Sequence, residues 1–280
     1  MRSIDGWSNY MKDGYKMNIR DIIEQITPIN EECVALAQKR FDNLIKPVGS
    51  LAKLEEMTTR YAGIIGKSDK NDIDYPKRKV LIWGSIENTL EAEKILHGTT
   101  PVNVLAAETE AEAIPLLVMA EDEEEAMFEG ATLVNEYIKK EGLGLLGYGA
   151  LCDDELVVAA MAGGILQAAA LKVGVMLDGI ATCKAAAKAA ELCPEVLKYC
   201  FAGHVSGEAG AEDALQDLEL SAPLRLNITG CAGEGAAVAF TLFNAGIKAY
   251  KEMETFAEAG VHTEVKEFSL AEQVKGKQES

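Results

Sequence analysis

The chain has few aromatic side chains. Phenylalanine, tyrosine and tryptophan make up 6% of its 280 residues, although hydrophobic residues make up 48%. Alanine, valine and leucine supply most of the apolar side chains instead. Small side chains let helices lie close to a sheet, whereas a β-sandwich needs larger ones to fill its core. The composition therefore favours helices packed on a sheet, and the length suits one large domain or one domain with a smaller appendage.

Positive charge is also scarce. Lysine and arginine number 27 against 45 aspartates and glutamates, which gives a formal net charge of −18 at pH 7 and a sequence pI near 4.6. Such a chain repels phosphate backbones and anionic lipid headgroups, so neither a nucleic acid nor a membrane is an expected partner. An anionic small molecule is not excluded, because backbone amides at a helix start bind anions without any lysine.

The sequence has no CxxC pair, no other metal-ligand spacing and no apolar segment of membrane-spanning length. Its first residues also lack the apolar core of a secretory signal. We therefore expect a cytoplasmic protein with reduced thiols, without disulfides and without a metal ion or other cofactor. The six cysteines are Cys33, Cys152, Cys183, Cys193, Cys200 and Cys231.

Two amphipathic helices are predicted near the start of the chain. Apolar residues recur at helical spacing in residues 31–45 and again in residues 51–65, and the polar linker 66–79 follows them. Both helices precede the first candidate strand, which suggests a layer outside the main sheet. We expect residues 1–75 and 255–280 to form a small helical domain together.

A sharp turn is predicted between these two helices. Pro47 and Gly49 both interrupt helices, so the first helix should end before them. Ser50 is then a candidate N-cap for the second helix, whose first turns should expose the residues from Lys53 to Glu56.

From residue 76 to residue 254 the pattern is that of an α/β domain. Short, continuously apolar runs alternate with longer alanine-rich segments of helical periodicity. Such strands pair in parallel and are covered by helices on both faces. The fold class expected is α/β, a three-layer Rossmann-like large domain with a mostly parallel sheet and its ligands beyond the carboxyl ends of the strands. The candidate strands are 80–85, 113–119, 142–149, 173–179 and 198–204.

A single glutamate stands in a glycine-rich loop near the end of the chain. Glu234 lies between Gly233 and Gly235, directly before a helical pattern that runs from Ala236 to Met253. One interpretation is a first-turn glutamate that is favoured by the helix dipole, beside glycines that are needed for close packing. The other is a general base that a substrate can reach. The residues alone leave both interpretations open.

Three further segments carry polar residues at the ends of predicted elements. Thr99 and Thr100 stand at a helix start, where they can bind an anion or simply cap the helix. His204 and Ser206 follow the last candidate strand, where a histidine is more often a hydrogen-bonded structural group. Asp178 ends the fourth candidate strand, where a carboxylate commonly caps the next helix.

Taken together, these segments resemble the nicotinate-nucleotide:dimethylbenzimidazole phosphoribosyltransferase family, which makes the lower-ligand nucleotide of cobamides. The similar segments are "RFDNLIKPVGSLAKLEEM" at 40–57, "HGTTPVNVLAAE" at 97–108, the run from "VMLDG" to "HVSGEAG" at 175–210 and "GEGAAVAFTLFNAG" at 233–246. They occur in the order of the family and reach from about Phe41 to Met253. "KPxGSL", "SHxSxExG" and "GEG" are specific in combination.

The resemblance implies a reaction. In the family, the glutamate of "GEG", here Glu234, takes the imidazole proton of dimethylbenzimidazole. The other ring nitrogen then attacks C1′ of nicotinate mononucleotide and expels nicotinate. Ser206 falls at a family serine that contacts the nucleotide. The family works as dimers with sites near the subunit boundary, so a homodimer is expected and a hetero-partner is possible. The other expected substrate-binding residues are Gly233, Gly235, His204, Asp178, Thr99 and Thr100.

The chain also departs from the family. Ala150 stands where the family has a second functional glutamate, "GSIENTL" at 84–90 replaces "ADHGV", and the basic loop that grips the nucleotide phosphate is absent. Lys46 and Lys53 are candidate replacements for that cation. Three hypotheses follow: a shortened phosphoribosyltransferase, a non-catalytic paralogue that binds a base or riboside or pairs with an active subunit, and an enzyme whose substrate lacks the phosphate.

Overall fold

The computed structural model describes residues 18–260, whose central feature is one sheet of five parallel strands in the order β2-β1-β3-β4-β5. All five predicted strands are confirmed, as is the α/β class. The order places β1 between β2 and β3, so the chain changes direction across the sheet there, and the strand ends open a crevice at that point. The strands are β1 (Arg78–Ser85), β2 (Glu112–Val118), β3 (Leu145–Ala150), β4 (Gly174–Leu177) and β5 (Cys200–Ala202).

Ten α-helices surround the sheet in the described part of the chain. None of them is both long and apolar enough to span a lipid bilayer. The helices are α1 (Ile19–Ile23), α2 (Glu31–Asn43), α3 (Lys53–Ile65), α4 (Thr89–Leu96), α5 (Pro101–Ala107), α6 (Glu123–Glu141), α7 (Glu155–Ala170), α8 (Gly179–Leu192), α9 (Ala211–Asp217) and α10 (Glu234–Glu252).

The helices form two layers, one on each face of the sheet. Two consecutive residues of β3 show this, because neighbouring side chains of a strand point to opposite faces. A β-carbon at Gly147 would lie 3.0 Å from Phe240 of α10, whereas the hydroxyl of Tyr148 lies against Gly164 of α7. The sheet is thus sandwiched between α10 and α7, which gives the expected three layers.

The helices before the first strand pack on the α10 layer. α2 packs against α3 and α3 packs against α10, with the rings of Tyr61 and Phe243 5.2 Å apart at an edge-to-face angle. The predicted small domain also included residues 1–17 and 261–280, which lie outside the described residues. The division into two domains stays a prediction.

The turn between α2 and α3 differs from the prediction. Ser50 does not cap α3, which begins at Lys53 after Ala52. Glu55, expected to be exposed, is buried, and its carboxylate accepts the N–H of Leu51 at 3.0 Å. It also lies 2.8 Å from the ammonium of Lys46. Glu55, in the first turn of α3, thus accepts the N–H of a residue that precedes the helix, and the buried ammonium of Lys46 compensates the charge of its carboxylate.

Candidate functional site

A carboxylate at the end of β4 holds the glycine loop in place. Oδ2 of Asp178 accepts the backbone N–H of Gly233 at 2.9 Å and that of Gly235 at 3.0 Å. Asp178 was expected to cap α8, but its side chain makes no cap hydrogen bond there. The expected cap is wrong because the carboxylate turns to the start of α10, whose N-cap, Gly233, has no side chain to offer.

His204 completes this contact from the neighbouring strand. Its Nε2 lies 2.6 Å from Oδ1 of Asp178, and both side chains are fully buried. Nδ1 of His204 is also buried and has no hydrogen-bond partner in the described part of the chain. A neutral ring therefore places its proton on Nε2 and donates it to Asp178, because a proton on Nδ1 would have no acceptor.

Glycine is required where the loop approaches the sheet. A β-carbon on Gly235 would lie 2.0 Å from Cδ2 of His204 and 2.5 Å from Oδ1 of Asp178. A β-carbon on Gly149, in β3, would lie 2.2 Å from the backbone of Ala232. Any side chain at either position would push the loop away from the strand ends.

Sequence reasoning missed Glu208, which joins three segments. Its Oε2 accepts the N–H of Ile180 at 2.9 Å, the hydroxyl of Ser206 at 3.0 Å and the thiol of Cys231 at 3.1 Å. Glu208 thus accepts an N–H from the first turn of α8, which is the role that was expected of Asp178. The predicted substrate ligand Ser206 is buried, and this carboxylate engages its hydroxyl. The signal in the sequence was the position of Glu208 two residues after Ser206, within reach of the same turn.

Glu234, the candidate base, is the first residue of α10. Its side chain is half-buried, and Oε2 is inaccessible to water and has no hydrogen-bond partner among residues 18–260. Burial raises the pKa of Glu234 above its usual value, and the negative charge of Asp178 adds to the shift. Backbone hydrogen bonds and His204 act in the opposite direction. A desolvated carboxylate of raised pKa is a stronger base than an exposed one.

The threonines lie close to the loop, but their hydroxyls already have partners. Thr100 is the N-cap of α5 and donates its hydroxyl to Oδ1 of Asn103 at 2.6 Å. Thr99 donates to the carbonyl of Lys94 at 3.1 Å. A β-carbon on Gly233 would lie 3.3 Å from Val102, so the start of α5 is next to the loop. A role for either threonine in substrate binding stays a prediction.

The two candidate replacement cations both have acidic partners. Lys46 is buried against Glu55, and Lys53 pairs with Glu56 and contacts Ser221. Neither lysine is therefore a free phosphate ligand.

A separate cavity of about 600 Å³ between α2 and residues 255–258 is lined by none of the predicted site residues. Arg40, on the wall of this cavity, already donates to two backbone carbonyls.

Asp178, His204 and Cys231 are the one group within residues 18–260 that could hold a metal ion, with ligand atoms within 4.8 Å of one another. Asp178 and His204 already bind each other, however, and the thiol of Cys231 donates to Glu208. Binding through Nε2 would move the proton of His204 to Nδ1, which lacks the acceptor that metal-bound histidines usually have. The hydrogen bonds described above account for this group, and the absence of a metal stays a prediction.

Comparison with known proteins agrees with the resemblance. A sequence profile of a family described as phosphoribosyltransferase matches residues 26–121 and 155–261. The nicotinate-nucleotide–dimethylbenzimidazole phosphoribosyltransferase of Ruminiclostridium cellulolyticum is 25% identical over 352 residues, covering 88% of this chain and 98% of that protein. The protein of the same name from Geobacter metallireducens is 43% identical over 106 residues, 38% of this chain and 30% of that protein.

A crystal structure of the nicotinate-nucleotide–dimethylbenzimidazole phosphoribosyltransferase from Thermus thermophilus has the same fold. Its TM-score is 0.75 at 20% identity, and the match covers 84% of this chain and 99% of that chain. The family profile passes over residues 122–154, which contain β3 and Ala150. Its two matched segments nevertheless span well over half of the sequence, and the chain therefore belongs to this phosphoribosyltransferase family.

Proposed function

We propose that this protein transfers the ribose phosphate of nicotinate mononucleotide to a ring nitrogen of a benzimidazole-type base, a step of cobamide synthesis. The observation that carries the proposal is the carboxylate of Glu234. It has a raised pKa and a buried oxygen without a hydrogen-bond partner in the described part of the chain, and it stands at the carboxyl edge of the sheet. This is where an α/β fold binds its ligands.

The proposed reaction uses Glu234 as the general base. Its carboxylate removes the N–H proton of the imidazole ring, and the electron pair of the other ring nitrogen forms the new bond to C1′ of the ribose. The bond from C1′ to the nicotinate nitrogen breaks and nicotinate leaves with that electron pair. The acceptor nitrogen gains positive charge as its bond forms, so a carboxylate beside the ring stabilises the transition state.

A second candidate function, a non-catalytic paralogue, is favoured by what this chain lacks. Ala150 ends β3, its N–H donates to the carbonyl of Cys231 at 3.0 Å, and its methyl group has neither an acid nor a hydrogen-bonding atom to offer a substrate. The alignment with the Ruminiclostridium protein leaves about a hundred of its positions without a counterpart here. Such a paralogue would bind a base or riboside, or pair with an active subunit.

The distinguishing experiment is an assay of the purified protein with nicotinate mononucleotide and dimethylbenzimidazole. We expect α-ribazole phosphate and free nicotinate in equal amounts, and a loss of about 10²- to 10⁴-fold in Glu234→Gln. Glu191→Gln, an exposed change on α8, is the matched control and should retain full activity. Full activity in Glu234→Gln would remove Glu234 from the mechanism.

If no product forms, two explanations remain, and parallel assays distinguish them. A nicotinate riboside without the phosphate is supplied in place of the nucleotide, and binding of the base is measured by calorimetry. Product from the riboside alone assigns the enzyme a substrate without phosphate. Binding without product from either donor favours the non-catalytic paralogue.

We also propose a cytoplasmic homodimer whose partners are the nucleotide and the aromatic base; a hetero-partner would instead supply the groups that the shortened chain lacks. Family membership supports the dimer, and so do exposed apolar side chains in the segment 86–119. Light scattering measures the mass of the purified protein in solution and so distinguishes a monomer from a dimer. The exposed side chains are Ile86, Leu90, Leu96, Val104 and Met119.

A further inference from the structure

The carboxylate of Asp178 binds the chain on both sides of the candidate base. The amides that it accepts belong to Gly233 and Gly235, the neighbours of Glu234 in the sequence. Asp178 itself is fully buried, so it has no surface on which a bound nucleotide or base could rest. Its influence on a reaction would therefore pass through the loop.

We propose that Asp178 is a positioning residue, which holds Glu234 at the start of α10 in the orientation needed to accept the proton of the base. This inference rests on the proposed function of Glu234. The first N–H groups of a helix lack partners within it, and a side chain of the N-cap residue usually supplies one. The N-cap of α10 is Gly233, with φ of 106°, which has no side chain to accept these N–H groups. Asp178, at the end of β4, supplies the acceptor oxygen instead.

His204 fixes the carboxylate in turn. Nε2 of His204 lies against Oδ1 at 2.6 Å, which leaves Oδ2 free to face the two amides. Gly235 packs directly on the imidazole, since a β-carbon there would lie 2.0 Å from Cδ2 of His204. The imidazole, the carboxylate and the loop are therefore in mutual contact.

Asp178 acts on Glu234 through its charge as well as through its hydrogen bonds to the loop. Among the titratable side chains of the described residues, Asp178 raises the pKa of Glu234 through its negative charge, and His204 lowers it. A neutral residue at position 178 would lower the pKa of Glu234. The pKa of Glu234 therefore reports the charge of Asp178, whereas the exchange rates of the Gly233 and Gly235 amides report its hold on the loop.

The test compares Asp178→Asn with the wild-type protein and with Asp217→Asn, an exposed change on α9. Two measurements need no turnover: the pKa of the Glu234 carboxyl by ¹³C NMR titration, assigned from its absence in Glu234→Gln, and hydrogen exchange of the Gly233 and Gly235 amides. In Asp178→Asn we expect a lower pKa of Glu234 and faster exchange of both amides. We expect kcat to fall by about 10²-fold with KM little changed, since a displaced catalytic group costs about that factor. Asp217→Asn should match the wild type.

An unchanged pKa of Glu234 with unchanged amide exchange would overturn the proposal, as would a loss confined to KM. If Asp178→Asn does not fold, Asp178→Glu takes its place: it retains the charge but moves the carboxylate away from the two amides, and it should speed exchange of both amides and lower kcat. Unchanged exchange in that variant would also overturn the proposal. If the wild-type protein gives no product at all, the proposed function fails, whereas the titration and the exchange still decide whether Asp178 holds Glu234.

Discussion

Gly235 and His204 are in contact so close that only a hydrogen fits on the Cα of the glycine. A β-carbon there would lie 2.0 Å from Cδ2 of the imidazole and 2.3 Å from Nε2. His204 is buried and its Nε2 is bound to Asp178, so displacing the ring would break that hydrogen bond. The glycine after Glu234 is therefore a requirement of packing as well as of backbone conformation.

We predict that Gly235→Ala destabilises the fold by about 1–3 kcal/mol, the usual cost of forcing an extra carbon into a packed region. The displaced ring should also release Asp178 from the loop. Urea unfolding monitored by circular dichroism measures the free energy of unfolding.

The matched control for this prediction is Gly230→Ala, in the same loop. The atoms nearest to a β-carbon there are those of the carboxylate of Glu234, at 3.7 Å or more, which is ordinary van der Waals contact. Its free energy of unfolding should stay within about 0.5 kcal/mol of the wild-type value. Equal losses in the two variants would show that the contact with His204 is not the cause.

Glu234→Gln should change how stability depends on pH. Because the pKa of Glu234 is raised in the folded protein, the native state retains a proton that the unfolded chain has already lost as pH rises above the usual value. Stability therefore falls as pH rises from the unfolded pKa to the raised folded one. A glutamine cannot ionise, so it removes this fall. Unfolding free energies at about pH 5 and about pH 8 should show the variant gaining on the wild type at the higher pH.

The exposed Glu191→Gln serves again as the comparison, and it should follow the wild type at both pH values. If Glu234→Gln ran parallel to the wild type as well, the carboxyl would not be desolvated as its position suggests.

The strands and the neighbourhood of Glu234 could be predicted from the sequence, because both follow from short-range patterns. Continuous apolar runs identify buried parallel strands. Because parallel strands end at one edge of the sheet, Asp178 and His204 were both expected at that edge, whereas only the structure shows that their strands are neighbours. The glycines on either side of Glu234 likewise marked a close approach of the backbone.

The partner of each carboxylate could not be predicted. Local preference assigned Asp178 to the helix directly after it, yet the amides that it binds lie 55 and 57 residues further along the chain. Glu208 instead accepts an N–H at the start of α8, the helix that Asp178 was expected to cap. Such exchanges depend on which loops the sheet brings together, and no pattern within a short segment contains that information.

Lys46 and Lys53 looked alike in the sequence, and the structure separates them. The side chains of Lys46 and Glu55 are 6% and 4% exposed, whereas those of Lys53 and Glu56 are 37% and 42% exposed. Lys46→Met leaves a buried carboxylate without its cation and should cost about 3–5 kcal/mol. Lys53→Met should cost less than about 1 kcal/mol. Chemical denaturation of both variants measures the difference.

A double variant tests the cause of that loss. In Lys46→Met/Glu55→Gln the glutamine still accepts the N–H of Leu51 but carries no charge, so much of the stability lost in Lys46→Met should return. If the double variant is no more stable than Lys46→Met, the lysine stabilises the turn through packing on Phe41 rather than through charge.

The cysteines should divide into two classes by reactivity. Burial raises the pKa of Cys183 and of Cys200 to about 12. Burial also raises the pKa of Cys231, and the carboxylates of Asp178 and Glu208 add to it. A thiol reacts as its thiolate, so these three should resist Ellman's reagent in the folded protein at about pH 8 and react only after unfolding. The thiols that are partly exposed, and available first, are those of Cys33, Cys152 and Cys193.

Cys231 decides this prediction, because it lies in the loop that carries Glu234. Its thiol donates to Oε2 of Glu208, so forming the thiolate would place a second negative charge beside a carboxylate that already accepts two other hydrogen bonds. Peptide mapping after a short native exposure to iodoacetamide identifies which thiols were modified. Rapid labelling of Cys231 would mean that the loop opens in solution and that Glu208 does not hold it to the start of α8.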